Sequence, residues 1–173
     1  INTIKSKNIF AKVESQILPG SNENFKVINL TVEEKPTGEL SLGAGIGTSG
    51  GTIGGGIKEN NFLGKGIMLD TSLQLTADSI KGKFVHVKPN FNYTDNTLYT
   101  SLSSTTSDNL KDSGYKTSNL GFSIGTSFEQ YENLFFKPTI QTNYEKLETT
   151  STATSSLKKQ KGNYFDTYFN YEI

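Results

Sequence analysis

The ten residues that indicate the fold are Gly38, Glu39, Leu40, Ser41, Leu42, Gly43, Ala44, Gly45, Ile46 and Gly47. Every second side chain from Leu40 to Ile46 is apolar, and the residues between them are serine or glycine. Because successive side chains of a β-strand point to opposite faces, this spacing predicts a strand with one apolar face. The same period-two pattern recurs in seven further segments before the chain ends at Ile173. The chain is therefore predicted to be all-β from residue 38 onward.

The eight segments keep their charges away from their apolar residues. Five charged residues are predicted to lie on the polar faces: Lys58, Asp70, Lys88, Lys137 and Asp166. In the fourth segment, Val85 and Val87 are assigned to the apolar face and His86 and Lys88 to the polar face. On this assignment no charge interrupts the apolar face of any strand.

The composition is polar for a folded chain of 173 residues. Only 33% of the residues are hydrophobic, yet 11 Phe and 8 Tyr are too many for a disordered chain. The chain therefore has few apolar residues with which to fill an ordinary core between two packed layers. The formal net charge is zero, which gives no basic face for nucleic acid, and the absence of cysteine excludes disulfides and thiolate chemistry.

Two architectures use strands with one apolar face. In a water-soluble sandwich the apolar faces pack together, whereas in an outer-membrane barrel they contact lipid and the polar faces line a wet lumen. The connections favour the barrel, because the two longest, Asp108–Lys116 and Glu145–Gly162, fall at one end and those of the other end are predicted to be short. Aromatic residues near the predicted strand ends fit an interfacial girdle: Phe62, Phe91, Tyr93, Phe128, Tyr131, Tyr144 and Tyr164.

The first 37 residues have a different pattern. Asn2–Lys7 is predicted to be the end of a helix, and Phe10–Leu18 and Phe25–Glu34 are predicted strands joined by a polar turn. Because this is too little for a domain, we interpret it as the end of an α+β module. The chain also starts at Ile1 instead of Met, which we interpret as a piece of a longer protein.

Two stretches carry a family resemblance: the linker Val32–Gly38 with the glycine-rich strand after it, and the turn at residues 60–66. The turn reads Asn60, Asn61, Phe62, Leu63, Gly64, Lys65, Gly66. Together with the Gly50-Gly51 turn, these segments resemble the start of the barrel in BamA-type outer-membrane assembly factors. The resemblance implies an antiparallel transmembrane β-barrel wall. Residues 1–35 would be the C-terminal part of the last POTRA module, residues 36–38 a linker, and residues 39–173 the first eight strands of sixteen.

The resemblance also implies a function without covalent chemistry, so no enzymatic activity and no cofactor or metal are expected. Members of this family insert β-barrel proteins into the bacterial outer membrane together with accessory lipoproteins. Their first barrel strand pairs weakly with the last, and unfolded clients dock on the edge that opens. That lateral-gate edge would here be Gly38–Gly47, with the barrel in contact with outer-membrane lipid and the N-terminal stub in the periplasm.

Several alternatives stay open. A secretion or translocation pore of the same superfamily shares these segments, and a passive porin or adhesin barrel shares the alternation. Strand glycines also have two uses, because they either weaken a seam that must open or relieve crowding and permit a bend. Both uses apply to the following glycines: Gly43, Gly45, Gly47, Gly54 and Gly56.

Other chemistry has weak support in the sequence. Gly43–Gly47 is followed by strand periodicity instead of the helix that a phosphate-binding loop requires. His86 is the single histidine, and without a second histidine or a cysteine it does not suggest a zinc site. We therefore expect His86 to lie in the lumen or on the surface.

Overall fold

The computed structural model describes residues 4–5, 9–22, 24–47 and 50–173. Within these ranges the chain consists almost entirely of strands, and after the helical residues Ile4 and Lys5 it has one short helix and one 3₁₀ turn. The elements are β1 Phe10–Pro19, β2 Lys26–Glu34, β3 Gly38–Gly47, β4 Gly50–Phe62, β5 Ile67–Thr76, β6 Ser79–Lys88, the 3₁₀ turn Phe91–Tyr93, β7 Thr97–Asn109, β8 Tyr115–Tyr131, β9 Leu134–Thr149, α1 Ser155–Lys159 and β10 Gly162–Glu172. No helix in this described part of the chain has both the length and the apolar character needed to cross a bilayer.

Strands β3 to β10 form one antiparallel sheet in which each strand pairs with its neighbours in the sequence. This arrangement confirms the predicted antiparallel wall of eight strands. The sheet is open, with β3 at one edge and β10 at the other. The other sheet among the described residues is the hairpin of β1 and β2, so no second sheet of comparable size packs against the wall as a sandwich would require.

The N-terminal hairpin agrees with the two strands predicted there. Strand β1 pairs with β2 antiparallel, with Ile17 opposite Ile28. The polar turn between them is closed by a hydrogen bond from the Gly20 N–H to the Phe25 carbonyl, 2.9 Å. The predicted helix Asn2–Lys7 lies mostly outside the described residues, of which Ile4 and Lys5 are helical.

The pairing register collects apolar side chains on one face of the eight-stranded sheet, which we call the apolar face. Leu42 pairs with Gly55 and Gly55 with Leu73, so these residues share a face, and farther along the sheet Ile124 pairs with Ile140. The opposite, polar face carries rows such as Ser101, Ser123 and Gln141. Within the predicted segments the alternation holds in seven of the eight strands, those other than β6. Near the strand ends, however, charged residues also lie on the apolar face, contrary to the prediction that no charge does: Glu59, Asp108, Lys116, Lys146 and Glu148.

The apolar face is exposed. Among the described residues, the buried apolar side chains are Ile9, Leu147 and Ala153, and none of these lies on that face. Large apolar side chains elsewhere are open, with Leu42 82% and Ile46 96% accessible. Residues that a soluble protein would bury thus form an outer surface, as expected where lipid supplies the other side of the contact.

Strand β6 corrects the prediction. Its pairing with β5 places Ile80 beside Leu75 and Phe84 beside Thr71 on the apolar face, so Val85 and Val87 lie on the polar face. A register that keeps the bulkier Ile80 and Phe84 on the apolar face overrides the short Val-His-Val alternation, because a shift of one residue turns every side chain over.

Lys88 and His86 consequently lie on the apolar face, contrary to the assignment from the sequence. Both polar groups have partners there. His86 Nδ1 lies 3.0 Å from Thr100 Oγ1, and the Lys88 ammonium lies 5.5 Å from the centre of the Phe91 ring. Lys88 is the last residue of its strand, so its charge stands at the margin of the apolar face.

The sheet has two ends, which differ in their connections. The linker end holds the linker and the segments 63–66, 89–96 and 132–133. The far end holds the segments 77–78, 110–114 and 150–161. The longest connection, 150–161, is at the far end, as predicted. The segment 89–96 contradicts the prediction that the linker end has only short turns.

Local backbone chemistry explains the long segment 89–96. Pro89 has no N–H to continue the pairing of β6, and Asn90, Asn92 and Tyr93 adopt left-handed conformations. A hydrogen bond from the Phe91 N–H to the Asn96 carbonyl, 2.8 Å, closes the loop. Residues 89–96 therefore form a compact loop before β7 begins.

Strands β7, β8 and β9 extend beyond the predicted segments at the far end. The connection predicted over Asp108–Lys116 is shortened to residues 110–114, because Asn109 pairs with Tyr115 and the Lys116 ammonium lies 3.1 Å from the Asp108 carboxylate. The segment 150–161 contains α1 and contacts the preceding far-end connection, since the Thr150 N–H donates to the Gly114 carbonyl. Leu147 and Ala153 are buried near this contact.

Candidate functional site

The predicted gate residues form the edge strand β3, and all ten of them are exposed. Strand β3 pairs on one side with β4, from Gly38 opposite Glu59 to Gly47 opposite Gly50. No strand of the described chain pairs with its other side. Backbone N–H and C=O groups along that side are a ready template for another strand.

Three of the four glycines of β3, Gly43, Gly45 and Gly47, have no steric neighbours in this sheet. A Cβ atom built at Gly43, Gly45 or Gly47 would have nothing within 4 Å. In this sheet, relief of crowding therefore does not account for glycine at these three positions. The absence of side chains at these three positions leaves residues 43–47 with little besides backbone pairing, and glycine makes such a segment costly to order.

Three consecutive glycines of β4, Gly54, Gly55 and Gly56, are different. A Cβ atom at Gly54 would lie 3.1 Å from the Leu73 carbonyl oxygen, and one at Gly56 would lie 3.0 Å from the Thr71 carbonyl oxygen. One at Gly55 would lie 2.8 Å from Leu42 Cδ2. Crowding explains these three positions, whereas it does not explain Gly43, Gly45 and Gly47 of the neighbouring strand.

The absence of a side chain at Gly55 leaves an apolar groove on the apolar face beside the edge strand. Its volume is about 420 Å³. The side chains around it are Leu40, Leu42, Ile53, Ile57, Leu73 and Leu75. The groove continues the exposed apolar face up to the sheet edge.

The turn singled out from the sequence is a tight, internally bonded structure at the linker end. Leu63, Gly64 and Gly66 have positive φ angles of 56°, 68° and 65°. The Asn61 side chain accepts a hydrogen bond from the Gly66 N–H, 2.7 Å, and the Asn61 carbonyl accepts one from the Gly64 N–H, 2.9 Å. Phe62 pairs with Ile67 across the turn. Glycine suits two of the left-handed positions, whereas Leu63 occupies one in spite of its Cβ.

The structure joins this turn to the linker. The Thr37 hydroxyl donates a hydrogen bond to Glu59 Oε1, which also accepts one from the Asn61 N–H, 2.7 Å. The Asn60 side-chain amide and backbone N–H both donate to the Thr37 carbonyl, at 3.2 and 3.4 Å. We call the group formed by Thr37, Glu59 and Asn60 the latch. The two stretches that carried the family resemblance therefore meet at one point.

A row of alternating charges crosses the polar face next to the latch. Glu39 pairs with Lys58, and Lys58 pairs with Asp70, on three successive strands. Directly opposite residues have Cβ atoms close enough for favourable charge contacts. The sequence had suggested a common network of five charged residues, and the structure instead groups Lys58 and Asp70 with Glu39.

The other members of that suggested network lie elsewhere. The Lys137 ammonium is 2.9 Å from the Glu172 carboxylate and 5.0 Å from the centre of the Tyr99 ring. Asp166 pairs with Asn143, far along the sheet from Lys58. Lys88 is on the opposite face, as described above.

The structure also bears on the phosphate-loop, metal-site and aromatic-girdle candidates considered from the sequence. Gly43–Gly47 lies in a strand followed by another strand, which is not the setting of a phosphate-binding loop. In the part of the chain that the structure describes, no three His, Asp or Glu side chains cluster as metal ligands. Among the predicted girdle residues, Tyr164 is on the polar face, where its hydroxyl donates to the Gln160 carbonyl.

Sequence reasoning missed the roles of Thr37 and Glu59, and it placed Glu39 in the gate edge without its pairing to Lys58. Each is an ordinary polar residue near a strand end, and charges in such places are usually just solvated. A usable signal existed only for Glu39, because antiparallel pairing around the Gly50-Gly51 turn places it opposite Lys58. The role of Glu59 depends on a bulge between Glu59 and Phe62, which a period-two pattern does not reveal.

The geometry defines the class of fold: an antiparallel β-barrel wall of eight strands, with an exposed apolar face and a free first strand. A crystal structure of BamA from Haemophilus ducreyi lacking POTRA domains 1–3 has the same fold, with a TM-score of 0.71 and 22% sequence identity. The similarity covers 99% of this chain and 35% of that chain, so the present chain spans about a third of its length. No protein-family model matches the chain, and no curated protein sequence matches it.

Proposed function

We propose that the protein containing this chain assembles and inserts β-barrel proteins into the bacterial outer membrane. The single observation that carries the proposal is the weak side-chain pairing of the edge strand β3, where Gly43 is opposite Gly54 and Gly47 opposite Gly50, in a wall with the fold of BamA. An incoming strand would pair with this edge by β-augmentation. In lipid such pairing is strongly favoured because no water satisfies free backbone groups.

The proposed orientation is based on the two faces and the two ends of the sheet. The apolar face contacts lipid, and the polar face with its Ser101, Ser123 and Gln141 row lines a lumen. The linker end lies at the periplasm, where residues 1–35 are the end of the last POTRA module. The long segment 150–161 then lies at the outer surface.

The partners are those that the function requires. Unfolded outer-membrane β-barrel clients supply the strand that docks on β3, and accessory lipoproteins assist on the periplasmic side. The reaction forms and exchanges hydrogen bonds without covalent steps, so none of the residues is assigned a role as acid, base or nucleophile. The strand that closes the barrel against β3 lies outside this chain.

The first experiment locks the edge in the full-length protein. Because this chain has no cysteine, a Gly45→Cys change and a cysteine in the closing strand form the intended disulfide without competition from its other residues. We expect oxidation to stop insertion of client barrels and reduction to restore it. The matched control joins β7 to β8 through Thr97→Cys and Ser127→Cys, which pair inside the wall and need not separate.

The second experiment is depletion of the intact protein. Levels of folded outer-membrane proteins are expected to fall together, because all of them use the same edge. Unchanged levels on depletion, or normal insertion by the locked protein, would overturn the proposal. Loss of a single secreted protein would instead favour the alternative of a translocation pore for a dedicated partner.

A further inference from the structure

The geometry points to Glu59 as a positioning residue. It holds the linker end of β3 against β4 while the far half of β3 separates from β4. This inference rests on the proposed function, since it concerns how the edge strand moves during insertion. On this inference the ten-residue strand β3 has two parts that differ in how firmly they pair with β4. We call residues 38–42 the held half and residues 43–47 the free half. The hinge between them is set by side chains of β4 and the linker.

The held half begins at the latch. Glu59 Oε1 accepts hydrogen bonds from Thr37 Oγ1 and from the Asn61 N–H, so one carboxylate bonds the linker before β3 to the turn after β4. Asn60 adds two hydrogen bonds to the Thr37 carbonyl. Gly38 pairs with Glu59, and a Cβ atom at Gly38 would lie only 3.0 Å from Glu59 Oε2. Hydrogen bonds to a charged acceptor are stronger than those between neutral groups.

Further contacts continue along the held half. Glu39 is opposite Lys58 on the polar face, and Leu40 is opposite Ile57 on the apolar face. The Ser41 hydroxyl donates to the Gly56 carbonyl, 3.3 Å. Leu42 reaches over Gly55, as the 2.8 Å approach of its Cδ2 to a built Cβ shows. Each residue of the held half after Gly38 therefore has a side chain that lies opposite or over a residue of β4.

The free half has almost none of these contacts. Gly43 is opposite Gly54 and Gly47 is opposite Gly50, so two of its five pairs have no side chain on either strand. Ile46 is opposite Gly51 and is 96% accessible. Cross-strand side-chain pairs are the main local source of sheet stability, so this half depends on backbone hydrogen bonds and opens first.

The experiment measures hydrogen exchange of β3 in the full-length protein, in lipid bilayers and without client. In the native protein, amides of residues 43–47 are expected to exchange faster than those of residues 38–42. Thr37→Val and Glu59→Ala each remove the bond between hydroxyl and carboxylate, and should raise exchange of the held half about tenfold while leaving the free half unchanged. Thr37→Ser and Glu59→Gln keep a donor or an acceptor and should restore slow exchange.

A control and an activity readout separate positioning from general loss of stability. Thr76→Val removes a comparable bond, from the Thr76 hydroxyl to the Ser79 carbonyl, at the far end of β5, and should leave exchange of both halves of β3 unchanged. Client insertion in the same bilayers should slow with Glu59→Ala and recover with Glu59→Gln. Equal exchange of the two halves in the native protein, or an unchanged held half in Glu59→Ala, would overturn the inference.

The outcomes for the inference and for the proposed function differ. If Glu59→Ala frees the held half but insertion proceeds at the native rate, the positioning role is wrong and the proposed function stands. If the native protein inserts no client at all, the proposed function fails. The positioning role then fails with it, even if hydrogen exchange of residues 38–42 still rises when the latch is removed.

Discussion

The glycines of two strands, β3 at the sheet edge and β8 in its interior, have opposite surroundings. Gly43 and Gly45 of β3 have nothing within 4 Å of a built Cβ atom. In β8, a Cβ atom at Gly121 would lie 2.6 Å from Ser103 Oγ, and one at Gly125 would lie 2.7 Å from the Pro138 carbonyl oxygen. The same residue type is thus required by packing in one strand and leaves empty space in the other.

This difference separates structural glycines from candidates for a functional role. In β8 the neighbouring strands occupy the volume above the glycine, with Ser103 on one side and Asn143 on the other. Substitution there must displace atoms, so folding itself keeps the glycine. At Gly43 or Gly45 folding imposes no such demand in this sheet, which leaves weak pairing of the edge as the property that glycine provides.

The largest effect is expected for Gly125→Val. The added side chain meets the Pro138 carbonyl, a backbone atom that cannot move without shifting β9, and overpacking of this kind typically costs about 1–3 kcal/mol. We expect much less folded barrel when the full-length protein is refolded into lipid vesicles and the folded fraction is measured by gel mobility without heating. Gly43→Val is the matched control and should fold normally. Equal folding yields for the two variants would contradict the comparison.

A smaller effect, on activity instead of folding, is expected for the double variant Gly43→Val and Gly45→Val. Valine orders an extended strand that glycine leaves loose, so β3 should separate less readily and client insertion should slow roughly tenfold. Insertion of a client barrel into vesicles measures the rate. Gly82→Val, at an uncrowded position of β6, controls for loss of a strand glycine away from the edge. A native rate in the double variant would remove the functional interpretation of these glycines.

The smallest effect is expected for Lys58→Glu. This change turns the Glu39–Lys58–Asp70 row into three acidic residues on the held side of the edge strand. Because surface charge pairs are weak, the unfolding free energy should fall by less than about 1 kcal/mol. Urea unfolding in vesicles at low and high salt measures it, and salt should reduce the difference. Lys83→Glu is the control, since the cross-strand partners of Lys83 are the uncharged Ser72 and Ser103. An equal loss of unfolding free energy in Lys83→Glu would show that the charge row has no special role.

Much of the wall could be predicted from period-two patterning, and the exceptions have identifiable causes. Leu120, Phe122 and Ile124 alternate with small polar residues, so their common face follows directly from their spacing in the sequence. In β6 the pattern allowed two registers, Ile80 with Phe84 or Val85 with Val87, and only pairing with β5 decided between them. At 89–96 the sequence showed Pro89 and three asparagines without indicating how far the loop would extend.

The candidate site divides in the same way. The sequence alone identified β3 and the turn at residues 60–66, because glycine content, alternation and turn chemistry are local properties. It also determined which residues share a face within the predicted segments of every strand other than β6, because side-chain direction alternates along a strand. Only the tertiary structure decided that β3 lies at an edge, that β8 needs its glycines, and that Thr37 meets Glu59. These features depend on which strands become neighbours and in what register, and contacts between residues distant in the chain carry no local pattern.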